Sequence, residues 1–216
     1  MFATVPPPSQ RLLVFARLPE LGKVKTRLAT ELGEPRALNV YESMLRELTT
    51  NIGTSDEETE IEFLWPPTPA ANGATLHQAF GHHAKAMQTG ATLGDRLAMA
   101  FSERFFFQGT GKIIAIGVDD PLLPRTLIDH AFALLDSCEY VVGPARDGGY
   151  YLFGCRAMSF EPDVFRGIEW GTQTVLSETL RRISATQRTC ALLPERFDID
   201  TADDLERYAR ATGWQP

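Results

Sequence analysis

The sequence predicts an α/β fold built on a doubly wound, mostly parallel mixed sheet. Three observations carry that expectation. Short continuous apolar runs suit strands buried on both faces, stretches of helical period alternate with them, and turn-rich segments follow the carboxyl ends of the runs.

The elements follow in order. Leu12 to Ala16 is the first apolar run, and Leu18-Pro19-Glu20-Leu21-Gly22 ends it as a turn. Leu38, Tyr41, Leu45, Leu48 and Ile52 recur at helical spacing. Ile61 to Trp65 is a second strand, stopped by Pro66-Pro67, and the segment from Thr68 to Gln88 carries no clear period. Leu93, Leu97, Phe101 and Phe105 mark a helix, and Lys112 to Val118 a further strand. Leu127, Ile128, Ala131, Leu134 and Leu135 form the next helix, with Pro124 near its start, where proline is tolerated. Tyr140 to Gly143 and Tyr150 to Gly154 are strands around the turn Asp147-Gly148-Gly149. Val175, Leu176, Leu180 and Ile183 belong to a helix, and a last helix begins near Ala202.

With 216 residues, the chain suits one large domain, and no repeat or linker divides it. We expect a single domain over residues 11–216, preceded by a disordered or extended tail over 1–10 that contains Pro6-Pro7-Pro8. The net charge of −7 argues against a nucleic-acid partner, whose phosphate backbone demands a basic surface. It leaves room for a small anion held by a local cluster of cations. No apolar run reaches the ~20 residues that span a bilayer, so no membrane partner is expected. The three cysteines, Cys138, Cys155 and Cys190, form no CxxC pair, and the simplest reading is a reduced, cytoplasmic protein. A homodimer is compatible with the sequence.

Ligands of doubly wound sheets sit outside the carboxyl ends of the strands. After the first strand, Arg17, Lys23, Lys25 and Arg27 fall within one short stretch that also holds Gly22, where backbone can approach a ligand closely. Arginine offers bidentate hydrogen bonds to phosphate, and lysine offers a compact charge. Neither GxxxxGK[ST] nor GxGxxG is present, and the alternative is a solvated basic loop.

After the strand ending at Val118 come Asp119 and Asp120. They are candidates for a Mg²⁺ site beside phosphates, or for the cap of the next helix. Asp198 and Asp200 alternate in an extended segment and so point to one side, while Asp200 or Thr201 could cap the last helix. Asp147-Gly148-Gly149-Tyr150 is either a hairpin turn or a site offering a carboxylate, backbone N–H groups and an aromatic face. Trp170-Gly171-Thr172 is either a helix start capped by Thr172 or an aromatic wall. Gly94, Asp95 and Arg96 open a helix, with Asp95 read as a local cap or ion-pair partner rather than a catalyst.

The run Phe15-Ala16-Arg17-x-Pro19-x-x-Gly22-x-Val24-Lys25-Thr26-Arg27-Leu28 resembles the opening motif of the bacterial radical-SAM/selenodomain-associated transferase 1 family, also called the domain of unknown function 2064. The resemblance continues through Leu93-Gly94-Asp95-Arg96, Gly117-x-Asp119-x-Pro121, Gly143-Pro144-Ala145-x-Asp147-Gly148-Gly149-Tyr150-Tyr151-Leu152, Trp170-Gly171-Thr172 and Asp198-Ile199-Asp200-Thr201. The family is glycosyltransferase-A-like and is similar to 2-phospholactate guanylyltransferase. The resemblance implies the nucleotide-diphospho-sugar transferase fold. It implies nucleotide binding by Arg17, Pro19, Gly22, Lys25, Thr26 and Arg27, together with Gly94, Asp95 and Arg96. It also implies a metal, Mg²⁺ or Mn²⁺, on Asp119, with a second acidic ligand from Asp198 or Asp200, while Asp120 is a further candidate ligand from this chain's own residues. Members usually carry Ser or Thr, Asp, Cys, Pro where this chain has Val118-Asp119-Asp120-Pro121.

These readings together lead to a metal-dependent transferase. The leading version moves a nucleotidyl group from a nucleoside triphosphate to a small phosphorylated acceptor, with Lys25, Arg27 and Asp119 catalytic. Substrate would be bound by Asp147, Gly148, Gly149, Tyr150, Trp170, Gly171 and Thr172. The alternatives are a glycosyltransferase using a nucleotide-sugar donor, with Asp147 as base, and a nucleotide-binding domain without turnover.

Overall fold

The computed structural model describes residues 9–69 and 71–216. Residues 1–8 of the expected tail lie outside the described residues, and Gln10, expected to close that tail, is instead the first residue of strand β1 (Gln10–Phe15). Residues of β1 alternate between faces: Leu12 and Val14 enter one apolar core and Leu13 the other, so the strand is buried from both sides.

The remaining strands are β2 (Thr59–Trp65), β3 (Ala84–Met87), β4 (Lys112–Ile116), β5 (Tyr140–Pro144), β6 (Tyr150–Arg156) and β7 (Cys190–Leu192). They form one sheet in the order β3-β2-β1-β4-β6-β5-β7. All pairings are parallel except the two made by β6, which runs antiparallel to β4 and β5. The sheet is therefore mixed and mostly parallel, as the sequence predicts. The chain moves outward from β1 through β2 and β3, then returns to the other side of β1 with β4. That reversal opens a crevice between the carboxyl ends of β1 and β4, the usual ligand position in such sheets.

Helices cover both faces. They are α1 (Thr26–Leu32), α2 (Glu34–Ile52), α3 (Gly73–Phe80), α4 (Leu93–Ser102), α5 (Arg125–Leu134), α6 (Val175–Ala185) and α7 (Ala202–Thr212). Tyr41, Leu45, Leu48 and Ile52 of α2 are buried, which bears out the helical spacing read there. On the other face, Phe101 is fully buried and meets the rings of Phe105, Phe153, Phe160 and Phe165. Each such buried ring contributes about 1.5–3 kcal/mol. Within Thr68–Gln88, α3 seats Phe80 against Phe63 at 5.1 Å and β3 forms the sheet edge.

Candidate active site

The loop after β1 turns at Glu20–Lys23, where the Lys23 N–H donates to the Glu20 carbonyl at 3.0 Å. Gly22 takes a φ of 71° in that turn, a left-handed value that favours glycine. Lys25 is also left-handed, with φ 45°, and leads into α1 at Thr26. Arg17 sits at the mouth of the loop. Its backbone N–H donates to the Tyr41 hydroxyl at 2.8 Å, and that hydroxyl donates to the Arg17 carbonyl at 2.9 Å. Arg17, Lys23, Lys25, Thr26 and Arg27 line a cavity of about 280 Å³ together with Asp119 and Asp200. The structure thus brings the four expected cations and Thr26 to one place. Pro19 and Gly22 shape the loop without lining the cavity.

Lys25 does not reach out to solvent. Its side chain is 5% exposed, and its ammonium donates to Asp119 Oδ1 at 2.5 Å, to Asp200 Oδ1 at 3.0 Å and to the Ile199 carbonyl. Burial works against its charge, but the two carboxylates prevail and hold the pKa above the ordinary lysine value. Arg27 is 67% exposed and lies 3.6 Å from Asp200.

The carboxylates come from two elements joined by one backbone bond, in which the Ile199 N–H donates to the Asp119 carbonyl at 3.0 Å. Ile199 is buried, and Asp198 and Asp200 flank it on the cavity side, as alternation predicts. Thr201, not Asp200, caps α7, in a reciprocal box with Asp204. Asp200 is thereby left to the cavity. Asp198 is pushed up to about 7, first by burial and then by the charges of Asp147, Asp200 and Asp119.

Asp120 corrects an expectation. It was a candidate metal ligand, yet it is 3% exposed and its carboxylate accepts from Arg196 Nε and, at 2.7 Å, from the Tyr208 hydroxyl. It ties β4 to α7 instead of facing a metal. Neither Asp119 nor Asp120 caps the next helix, because α5 starts at Arg125 behind Pro124.

A second cavity of about 350 Å³ shares Phe15, Arg17, Asp119 and Asp200 with the first. Its wall includes Tyr150 and Trp170, whose rings meet edge to face at 6.2 Å. Arg96, Asp147, Gly149, Gly171 and Thr172 also line it, Asp147 accepting from the Gly149 N–H at 2.7 Å. Thr172 is not a helix cap: its hydroxyl donates to the Glu169 carbonyl at 2.8 Å, and Thr174 precedes α6.

Three expected site residues act elsewhere. Asp95 completes a capping box with Thr92. Gly94 lies under the aromatic wall, where a Cβ would stand 2.4 Å from the Phe165 carbonyl oxygen and 2.9 Å from Trp170 Nε1. Gly148, at φ 89°, lets the hairpin turn meet Gln173. The sequence alone does not single out Tyr41, Tyr208 and Arg196 as site residues. Tyr41 reads as one more apolar helix position, and the signal was its hydroxyl, which needs a partner when buried.

Among the described residues, no group of three or more His, Cys, Asp or Glu side chains is arranged to hold a metal ion. The donors that face the cavity nevertheless suit Mg²⁺, which takes one or two carboxylates and completes its shell with waters and substrate phosphates. Asp119 and Asp200, 54% and 37% exposed, can offer oxygens to such an ion.

A family model described as "Uncharacterized protein conserved in bacteria (DUF2064)" matches residues 56–172, more than half of the chain. The chain belongs to this family. The DUF2064 match takes in Asp119, the Asp147 turn and Trp170, while the cationic loop and Asp198–Asp200 lie outside its bounds. A Desulfovibrio desulfuricans protein, provisionally named a nucleotide-diphospho-sugar transferase, is 32% identical to this DUF2064 chain and superposes with a TM-score of 0.89, over 94% of this chain and 87% of its own. A cytidylyltransferase from Leptospira borgpetersenii is 13% identical with a TM-score of 0.61, over 97% and 89% of the two chains. A Mycobacterium tuberculosis protein determined with manganese is 12% identical with a TM-score of 0.53, over 94% and 100%. The last two share the fold of the DUF2064 chain. No curated protein shows a significant match.

Proposed function

We propose that this DUF2064 protein is a transferase acting on a nucleotide substrate, and that it moves a nucleotidyl group from a nucleoside triphosphate to a small phosphorylated acceptor. The observation that carries this reading is the continuity of a cationic cavity with an aromatic one across Asp119 and Asp200. The cytidylyltransferase among the fold relatives supports it. The reading treats residues 11–216 as one catalytic unit.

In this reading, Arg17, Lys23, Lys25 and Arg27 hold the phosphate chain. Four cations match a triphosphate better than a diphosphate. The nucleoside and the acceptor share the larger cavity, where Tyr150 and Trp170 offer faces and Arg96 offers a donor. An acceptor phosphate oxygen attacks the α-phosphorus, the bond from that phosphorus to the β-bridging oxygen breaks, and pyrophosphate leaves with the electron pair. The attacking group is already an anion, so no side chain has to remove a proton. Arg27 and Lys25 neutralise charge as it grows on the phosphates, a contribution worth about 10²-fold in rate per donor. Asp119 and Asp200 would hold Mg²⁺ or Mn²⁺, with Asp198 beside them. A bound divalent ion polarises phosphoryl oxygens.

The second reading is glycosyl transfer from a nucleotide sugar. Asp147, a carboxylate on the cavity wall, and the name of the 32% identical relative favour it. One experiment separates the two. The protein is incubated with Mg²⁺ and nucleoside triphosphates plus a panel of small phosphorylated acceptors, or with nucleotide sugars. Pyrophosphate that depends on acceptor and on Asp119 supports nucleotidyl transfer. Free nucleoside diphosphate from a nucleotide sugar supports the second reading, and neither product from any pair removes both.

A further inference from the structure

The carboxylates that would take a metal are already occupied by a cation of the chain itself. The Lys25 ammonium lies 2.5 Å from Asp119 Oδ1 and 3.0 Å from Asp200 Oδ1, and the Ile199 carbonyl closes its third side. All three donor directions of an ammonium are thus filled. The lysine side chain is 5% exposed, whereas Asp119 and Asp200 turn their outer faces to solvent at 54% and 37%. A divalent ion that bridged the two Oδ1 atoms would have to stand where the ammonium stands.

From this geometry we propose that Lys25 is a built-in counter-ion. It bars a divalent metal from Asp119 and Asp200 until a triphosphate draws it away, so that metal and nucleotide load together. The inference rests on the nucleotide reading above and adds an order of events to it. Only the ammonium has to move, because a flexible four-carbon stem carries it. Its destination is at hand, since Lys25 lines the cationic cavity with Lys23, Thr26 and Arg27. Once the ammonium meets a phosphate instead, two carboxylates are left facing each other with no cation between them, and a metal is strongly favoured there.

The consequence runs against ordinary expectation for a site residue: removing Lys25 improves metal binding by the nucleotide-free protein. Even under the full screening of water, a unit charge at 3 Å from another changes affinity by about tenfold, and a divalent ion feels it twice over. The test is Mn²⁺ titration followed by electron paramagnetic resonance on the full chain, comparing wild type with Lys25→Met and Lys25→Gln, each checked for folding by circular dichroism.

Without nucleotide, wild type is expected to bind Mn²⁺ at least about tenfold more weakly than both variants. With ATP, GTP, CTP or UTP present, wild type is expected to gain Mn²⁺ affinity, and both variants to lose triphosphate affinity. Equal Mn²⁺ binding by wild type and variants without nucleotide overturns the exclusion. So does wild-type binding of Mn²⁺ alone as tight as in the presence of a triphosphate, a result that needs no variant. If no triphosphate binds wild type, the nucleotide reading and the release step fall together, while the nucleotide-free Mn²⁺ comparison still decides whether Lys25 excludes the metal.

Discussion

The hydroxyl of Tyr41 holds both backbone polar groups of Arg17, accepting from its N–H at 2.8 Å and donating to its carbonyl at 2.9 Å. A residue of helix α2 thus sets the first step of the loop that carries the four cations. Tyr41→Phe keeps the ring and removes both bonds, leaving the Arg17 N–H without its partner. The expected cost is about 1–3 kcal/mol, which for a chain of this size lowers the melting midpoint by about 2–4 °C per kcal/mol. Affinity for a nucleoside triphosphate should fall with it. A thermal melt run beside a nucleotide titration checks both, and a variant unchanged in both would mean that the loop holds itself.

Asp119 and Asp120 are neighbours with opposite expected behaviour. Asp120 is buried against Arg196 and Tyr208, so Asp120→Ala strands buried partners and should cost about 3 kcal/mol. Asp119 is half exposed, and without it the buried Lys25 ammonium keeps Asp200 and the Ile199 carbonyl, so Asp119→Ala should cost less stability than Asp120→Ala while abolishing metal-dependent nucleotide binding. Urea denaturation separates the two variants. Equal loss of stability in both would contradict the assignment of one to the fold and the other to the site.

Gly94→Ala should disturb the aromatic wall. The added methyl would stand 2.4 Å from the Phe165 carbonyl oxygen and 2.9 Å from Trp170 Nε1, so the indole or the Phe165 backbone has to shift. Overpacking of this kind costs about 1–3 kcal/mol. Tryptophan fluorescence reports the shift, and the same substitution in a Trp170→Phe background should leave the spectrum unmoved.

The pair Glu62–Arg104 offers the converse case. Arg104 is 2% exposed in its side chain and forks onto both oxygens of Glu62, at 2.7 and 2.8 Å. Arg11 joins the network with Thr110, toward the amino ends of β1 and β4 and away from the cavities. Glu62→Gln should cost about 3 kcal/mol by leaving buried Arg104 with the exposed Glu103 as its remaining charge partner. Nucleotide affinity measured below the melting range should stay at the wild-type value, and a large change in it would show that the network reaches the site.

Long, strongly patterned elements were legible from sequence. The continuous apolar runs of β1 and β4 and the period of α2 leave few other readings. Strand β7, with three residues, and β3, with no apolar run, were missed because their place in the sheet comes from partners and not from their own pattern. In the site, chemistry-bearing residues were legible where the chain clusters them, as in the cationic loop. What each one touches was not. Asp120 reads as a second ligand in sequence, whereas in the fold Arg196 and Tyr208, 76 and 88 positions away, engage it. Lys25 read as a phosphate contact, and only the approach of residues near 200 shows that it is already engaged. Gly94 read as part of a binding motif, whereas its missing side chain makes room for Trp170.

Lys25 and Asp200 meet across 175 positions of sequence. A ribosome adds about 5–20 residues per second, so the loop waits roughly ten to thirty-five seconds between its own synthesis and that of its carboxylate partner. During that interval the nascent chain carries the positively charged loop without one of the two carboxylates that meet Lys25. Prematurely terminated products keep the loop and lack Asp200, and a fragment cut to residues 56–172 keeps Asp119 and loses both. The cavity that Asp200 lines is therefore among the last parts of the protein that translation completes.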